Sequence, residues 1–549
     1  MVKQVIATLT ALVGFGFLFA QETFPVNGPQ DERPIYYAFK NATIYTSAKE
    51  KLTNATLVIY KGKIHAVGNG VSIPSGAVVK DCEGLVIYPS FIDTYGALNK
   101  PKSSKDKPEM VPHSHWNPSI HPEYQYQESF PIDDKKQHDW LASGFGVVNQ
   151  HHRQGIMRGA AQLIHVGLDQ PNESILRESS TAQFSFAKGA SDVDYPTSHM
   201  GAVALLRQAY YDSQWYNANT DVQRERTLAY EIIEQQKSMP SIFDVGSELS
   251  VRNVKALENE FGLDFIIKGN GREYLLDQSQ LNGQQFILPL NFPNAYDVSD
   301  PFEARMVSLE QLKHWESAPF NAFYLKEKGA DFIFTRDTLS SKAFLKNLNR
   351  LTNAGLSHNE VLEGFTSKPA EWLGISEAVG TLESGKLANF FIANHSFDLP
   401  GFAITEHWNK GQLVFHKSFP DESLVGTYKL VIDGENIELE VKAVSEKGIQ
   451  AEAHWKEGNA DLASKVQLEK ELISIVLITK DQPQKMLYQL SGKLSLNGSV
   501  WDGKGQTNTG KWVTWAAIKD RKSEDEKSHT TADSNKLTIP SLSYPNMAY

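Results

Sequence analysis

Between residues 145 and 354 the chain alternates short apolar runs with helical stretches, and this pattern constrains the fold more than any other feature. Strands are expected at 145–149, 162–166, 241–245, 265–268, 286–290 and 332–335. Helices are expected at 201–215, near 222–237, and at 342–354. Strand and helix in repeated succession predict an α/β unit, a (β/α) barrel. With 549 residues, the chain is too long for that unit alone, and two or three domains are expected.

Residues 84–98 read GLVIYPSFIDTYGAL. This resembles the first barrel strand of the amidohydrolase superfamily, whose usual form is close to G-x-x-x-x-P-G-F-I-D-x-H-x-H. Pro89, Phe91, Ile92 and Asp93 match, while Tyr95 and Ala97 stand where the family carries two metal-binding histidines. Upstream, FKNATIY and LVIYKGKIHAVG are similar to the small β-sandwich that opens many members. Residues 380–398, GTLESGKLANFFIANHSFD, resemble the family's closing segment, with Asn389 in place of an aspartate. SHNEVLEGFTSKPAEWLGI resembles its last helix pair, and there Ser357 reads as an N-cap with Glu360 at the third position. The resemblance covers about residues 37–415, of the imidazolonepropionase-like pattern. It implies a TIM-like (β/α) barrel over 89–379 and a composite small β-sandwich from 35–88 and 380–418.

Residues 421–519 change character. They alternate apolar and polar positions around DG and KG turns, and predict a separate all-β domain. Trp455, Trp501, Trp512 and Trp515 are expected in its core. Residues 520–549 begin with the charged run DRKSEDEKSHTTADSN and read as a linker or disordered tail. That suggests a chain forming the front part of a longer protein. Residues 1–20 read as a signal peptide, with Lys3 ahead of an apolar run too short for a comfortable membrane span, and 21–34 as a linker. Secretion or a periplasmic location is expected, with no stable membrane span. The single cysteine, Cys82, rules out an internal disulfide and a multi-cysteine zinc site. A formal net charge of −11 argues against a nucleic-acid partner.

The resemblance implies a metal ion at the C-terminal mouth of the barrel, where it would lower the pKa of a bound water. In the family its ligands come from strand ends. Here the first-strand pair is lost. The fifth-strand segment SIFDVGS offers Asp244, and the sixth, FIIKGNG, ends in Gly269, Asn270 and Gly271 without a histidine. The eighth, FIFTRDTL, places Asp337 where the family keeps a catalytic aspartate, although Asp337 reads equally well as the N-cap of the next helix. VVNQHHRQGIMRGAAQLIHVG sets His151, His152, Arg153 and Arg158 after a strand, as candidates for the mouth. His165 within it reads as a core histidine. His113 and His115 form a literal H-x-H with His121 near, but in a Pro- and Ser-rich loop that fixes no imidazole.

Three functions are compatible with these residues. The foremost is a metal-poor, non-catalytic unit, structural or regulatory, paired with an active amidohydrolase unit that is fused or separate; it needs no cofactor. The second is an active hydrolase of C–N bonds in small cyclic amides or peptides, rebuilt around Asp337, Asp244, His151 and His152, with or without zinc. The third is a small-anion-binding module using Arg153, Arg158 and Arg336.

Overall fold

The computed structural model describes residues 35–96, 98, 113–125, 134–168, 170–189, 193–220, 225–399, 401–416, 424–445, 448–455, 461–469, 472–479, 487–494, 500–519 and 539–540. The expected signal peptide and linker, Ala97, the charged run after Lys519 and residues 541–549 lie outside them.

Five strands open the described chain: β1 (Tyr37–Ser47), β2 (Glu50–Tyr60), β3 (Lys63–Gly68), β4 (Val78–Asp81) and β5 (Val86–Pro89). Lys61 and Gly62, with φ of 50° and 75°, make the tight turn from β2 to β3. The next strand, β6 (Phe91–Gly96), follows β5 after Ser90 alone. Then come β7 (Phe145–Gln150), β8 (Met157–Ala160), β9 (Gln162–His165), β10 (Ile175–Arg177) and β11 (Ala182–Ser185). Four more are β12 (Ser241–Asp244), β13 (Phe265–Lys268), β14 (Gln285–Pro289) and β15 (Asp331–Thr335). Finally β16 (Phe390–Ala393), β17 (Ile404–Asn409) and β18 (Gln412–His416) return to the first sheet.

That first sheet runs β18-β17-β16-β5-β1-β2-β3, with β4 also on β1. Its centre joins distant parts of the chain, for β5 and β16 pair antiparallel, Pro89 opposite Phe390. Phe39, Phe390 and Trp408 pack together beneath it.

The middle of the chain forms two mixed sheets rather than one hydrogen-bonded ring. One runs β10-β9-β7-β6 and the other β15-β14-β13-β12-β11-β8. Strands β11 to β15 are mutually parallel. The run expected at 162–166 is β9, and it turns back antiparallel on β7 instead of continuing a parallel series. Gly155 and Gly159, with φ of 85° and 74°, lie between β7 and β9, and a side chain at Gly159 would also collide with the Tyr124 carbonyl. The helix expected near 222–237 is found at Leu228–Gln236, and those expected at 201–215 and 342–354 at His199–Ala218 and Ser341–Asn353.

The two sheets face one interior. Ile242, Ile266, Ile287 and Ile333 come from β12 to β15 and form a layer with Tyr95 of β6. Across the gap, the Thr335 hydroxyl and the Arg336 backbone N–H donate to Asp93 at 2.7 and 2.8 Å. On the other side Asn149 donates to Thr181 at 2.8 Å.

A closed eight-stranded antiparallel barrel ends the fold, from β19 (Gly426–Ile432) to β26 (Trp512–Lys519), which pair with each other. Trp501 and Trp515 lie in its core beside Tyr428 and Leu439. Trp512 is exposed, against expectation, because its strand position faces outward; the side chain of Trp455 lies outside the described residues. Among the described residues, no helix is long and apolar enough to cross a membrane.

Candidate functional site

Side chains two residues apart on a strand share a face. Two residues beyond Ile242, Ile266 and Ile333 stand Asp244, Lys268 and Thr335, so polar groups cap the isoleucine layer. Asp244 and Lys268 are register partners on β12 and β13. Tyr95 reaches the same level from β6.

Two linked clusters result. In the first, the Tyr95 hydroxyl donates to Asp244 Oδ2 at 2.9 Å and accepts from Arg158 Nη1 at 3.1 Å. Arg158 is fixed further by the carbonyls of Gly155 and Ala187, at 2.9 and 3.1 Å. In the second, Asp337 accepts from Arg153 at 3.0 Å, from Lys268 at 3.1 Å and from Asn291 at 3.3 Å. The Tyr95 ring connects them, with Lys268 Nζ 5.4 Å and the Arg153 guanidinium 5.7 Å from its centroid. His151 packs on the same ring at 4.1 Å.

The charges follow this geometry. Burial opposes ionisation of Asp337, but Lys268 and Arg153 outweigh it and hold the carboxyl below its ordinary value. Burial pushes the Tyr95 phenol upward, so it is neutral at physiological pH. Burial, with Arg153 and Arg158 close by, holds His151 well below the usual imidazole range. Neither ring nitrogen of His151 makes a hydrogen bond. Asp93 is fully enclosed, and burial lifts it to about 6 despite three donors, the third being Tyr95 N–H at 2.8 Å.

The remaining candidates go elsewhere. His152 meets Tyr124 edge-on at 4.0 Å, and burial lowers it to about 4. Arg336 is turned away: its guanidinium bonds Asp139 and lies 4.4 Å from the Trp140 ring centroid. The expected trio of Arg153, Arg158 and Arg336 is therefore not assembled. Asp337 does not cap the next helix, since Ser340 accepts from Ala343 N–H there. Asp337 has φ 52°, a left-handed conformation that turns it back toward Lys268. His115 is buried and accepts from Asn117 N–H at 3.0 Å, His113 is exposed, and His121 faces Glu123 at 3.7 Å. His165 is a core histidine beside Asn389 at 3.1 Å. Lys268 and Asn291 are the site residues that the sequence reading passes over. The visible signal for Lys268 is a lone cation at the inward position of FIIK, two residues after Ile266.

These residues do not fit a catalytic zinc. Such a site needs about three nitrogen, sulfur or carboxylate ligands with an open position. Among the described residues, no three His, Cys, Asp or Glu side chains come together to hold an ion. Within the two clusters, His151 has the neutral, unpartnered nitrogens of a ligand. Both nearby carboxylates are already bonded, and Lys268, Arg153 and Arg158 surround the spot with positive charge.

Residues 322–415 match the amidohydrolase family. A search of curated protein sequences finds no match. An amidohydrolase from Thermotoga maritima MSB8 superposes with a TM-score of 0.57 at 17% identity, over 69% of this chain and 100% of that one. A putative prolidase from Bifidobacterium longum has a TM-score of 0.42 at 16% identity, over 70% of this chain and 95% of that one. The ochratoxinase of A. niger has a TM-score of 0.41 at 12% identity, over 70% and 97%. The first of these is a likeness of fold.

Proposed function

We propose, from the match of residues 322–415 to the amidohydrolase family and the likeness of fold to an amidohydrolase, that this unit is a metal-poor, non-catalytic member of the amidohydrolase superfamily, structural or regulatory, which pairs with an active amidohydrolase unit, fused or separate. In this reading the two mixed sheets are walls of one TIM-like (β/α) barrel, seated on the composite sandwich of 35–88 and 380–418. The Asp93 bonds to Thr335 and Arg336 support that closure. An exported protein, secreted or periplasmic, completes the proposal.

One observation carries it: Asp337, at the end of β15, is clamped between Lys268 and Arg153. A general base works best with a pKa near the operating pH. Asp337 is held below even its ordinary value, so it is a poor acceptor for a proton from water. Tyr95 and Asp244 are likewise bonded to each other. The groups that an active relative would turn toward a substrate are here spent on internal contacts.

The test is metal content. Protein purified and dialysed in chelator-free buffer is expected to carry well under one zinc per chain. Its thermal midpoint should not move when zinc or a chelator is added. One tightly held zinc per chain would overturn the reading.

A further inference from the structure

Strands β11 to β15 are parallel, so the connections that leave their last residues share one end of the sheet, the end that carries Asp244, Lys268 and Asp337. Among the described residues between 186 and 330, the large apolar side chains that face solvent gather on these connections and the first turns after them. Met200 is 74% exposed, Leu249 74%, Phe302 77% and Met306 85%, and Leu275 and Leu309 are exposed as well. The connections at the opposite strand ends, 237–240, 262–264, 282–284 and 328–330, carry none. Tyr211 and Trp215, farther along the helix His199–Ala218, are the exceptions. Hydrogen bonds tie each connection to the next. Asn253 meets His199 at 2.7 Å, the Asn270 amide donates to Glu248 at 3.0 Å, Arg272 donates to Glu310 at 2.6 Å, and the Tyr274 hydroxyl meets His314 at 3.1 Å. The apolar side chains therefore stand on one preformed rim. Single exposed apolar residues are ordinary on a surface, whereas a gathered set marks an interaction site.

We propose that this rim is the face on which the active amidohydrolase unit docks, presenting an apolar surface bordered by Lys and Arg. The proposal rests on the reading of this chain as a non-catalytic partner. A barrel enzyme keeps the C-terminal end of its strands open to substrate. Here the charged groups at that end are bonded to one another, and the end is free to be covered. Phe and Met are residue types enriched in the cores of interfaces. Charge selects the occupant. Residues 297–316, which carry Phe302, Met306 and Leu309, hold five carboxylates against two Lys or Arg. Two copies joined by this face would set like charge against like, and an anionic lipid surface would be repelled in the same way. A basic border on a different chain complements it.

Photo-cross-linking of the full chain in its own host tests this. A photoreactive phenylalanine derivative replaces Leu249, Phe302 or, as a control on another sheet, Leu413; all three are exposed, so the fold is expected to stand. Positions 249 and 302, but not 413, should yield conjugates whose peptides belong to one amidohydrolase sequence other than this one. Glu303→Lys with Glu316→Lys, both on the surface, should lower the yield from position 249 at least about threefold, because charges at the edge of an interface steer the encounter. An unchanged yield would count against the charge argument and the partner it selects. Conjugates with a second copy or with lipid, or none at the two rim positions, would overturn the proposal. Amidohydrolase peptides from position 413 alone would also overturn it, while leaving the pairing itself in place. Zinc content, measured on the same protein, judges the non-catalytic reading separately.

Discussion

Lys268 and Asp337 are each about nine-tenths buried, with side-chain exposures of 10% and 10%. Removing the partner of a buried charge typically costs about 3–5 kcal/mol. Asp337→Asn strands Lys268 and should lower stability by roughly 3 kcal/mol in urea unfolding, whereas Lys268→Met leaves Asp337 its bonds to Arg153 and Asn291 and should cost less. The double variant should lose less than the sum, with a coupling of about 1–3 kcal/mol. Full additivity would show that the two do not interact. The pH dependence has a definite sign. The folded carboxyl of Asp337 is depressed, so its stabilisation is present above the unfolded value near 3.9 and is lost as pH falls through the folded value. Asp93 behaves oppositely. Its folded value of about 6 means that its contribution is greatest below about pH 4 and declines as pH rises to 6. Carboxyl NMR should show Asp93 titrating with a midpoint near 6. Much of this was legible in sequence: Tyr95, Asp244, Asp337, Arg153 and Arg158 were all marked, and the structure brings them together. What was not legible was which way a side chain turns. Arg336 follows Thr335 directly, and period-two alternation sends it to the opposite face, to Asp139. Lys268 is less legible, because a lysine is no metal ligand of the kind the resemblance implies and its pairing with Asp337 joins residues far apart in sequence.

At the scale of elements, local chemistry set boundaries well where it was strong. Ser357 accepts from Glu360 N–H and the Glu360 side chain bonds back, as the S-x-x-E spacing predicts, so the helix His358–Phe365 starts where the sequence says. Ser357→Ala should cost about 1 kcal/mol in urea unfolding; a change within error would mean that tertiary packing alone fixes this end. Such packing is substantial, since His358 stacks on Phe397 at 4.1 Å and meets the Tyr88 hydroxyl at 3.1 Å. Strands β12, β13 and β15 begin and end within a residue of their apolar runs. Pairing partners were less legible, because an apolar run does not say which neighbour it joins or in which direction. The 162–166 run is the clear case. Its length and composition fit a barrel strand, yet it folds back antiparallel on β7, after left-handed Gly155 in the β7–β8 connection and Gly159 within β8.

At the scale of the molecule, the last described domain has a core that shares no residue with the others. Its eight strands close on themselves through β19 and β26, which leaves no strand edge for another sheet to join. Closure and a private core together predict separate unfolding. Calorimetry of the full chain should show at least two transitions, one belonging to 421–519. Trp501 is fully buried against Tyr428, ring centroids 4.1 Å apart. Trp501→Ala removes one of the largest side chains in that core and should cost about 3–5 kcal/mol. The transition of the C-terminal barrel should then move to lower temperature, or vanish, while the other stays in place. Zinc or chelator should leave both unmoved, because the charges that fasten the other unit, Lys268 and Arg153 on Asp337, are its own. If both transitions shift together in Trp501→Ala, the two cores are one cooperative body, and the β domain is a structural part of the amidohydrolase-like unit rather than an appended module.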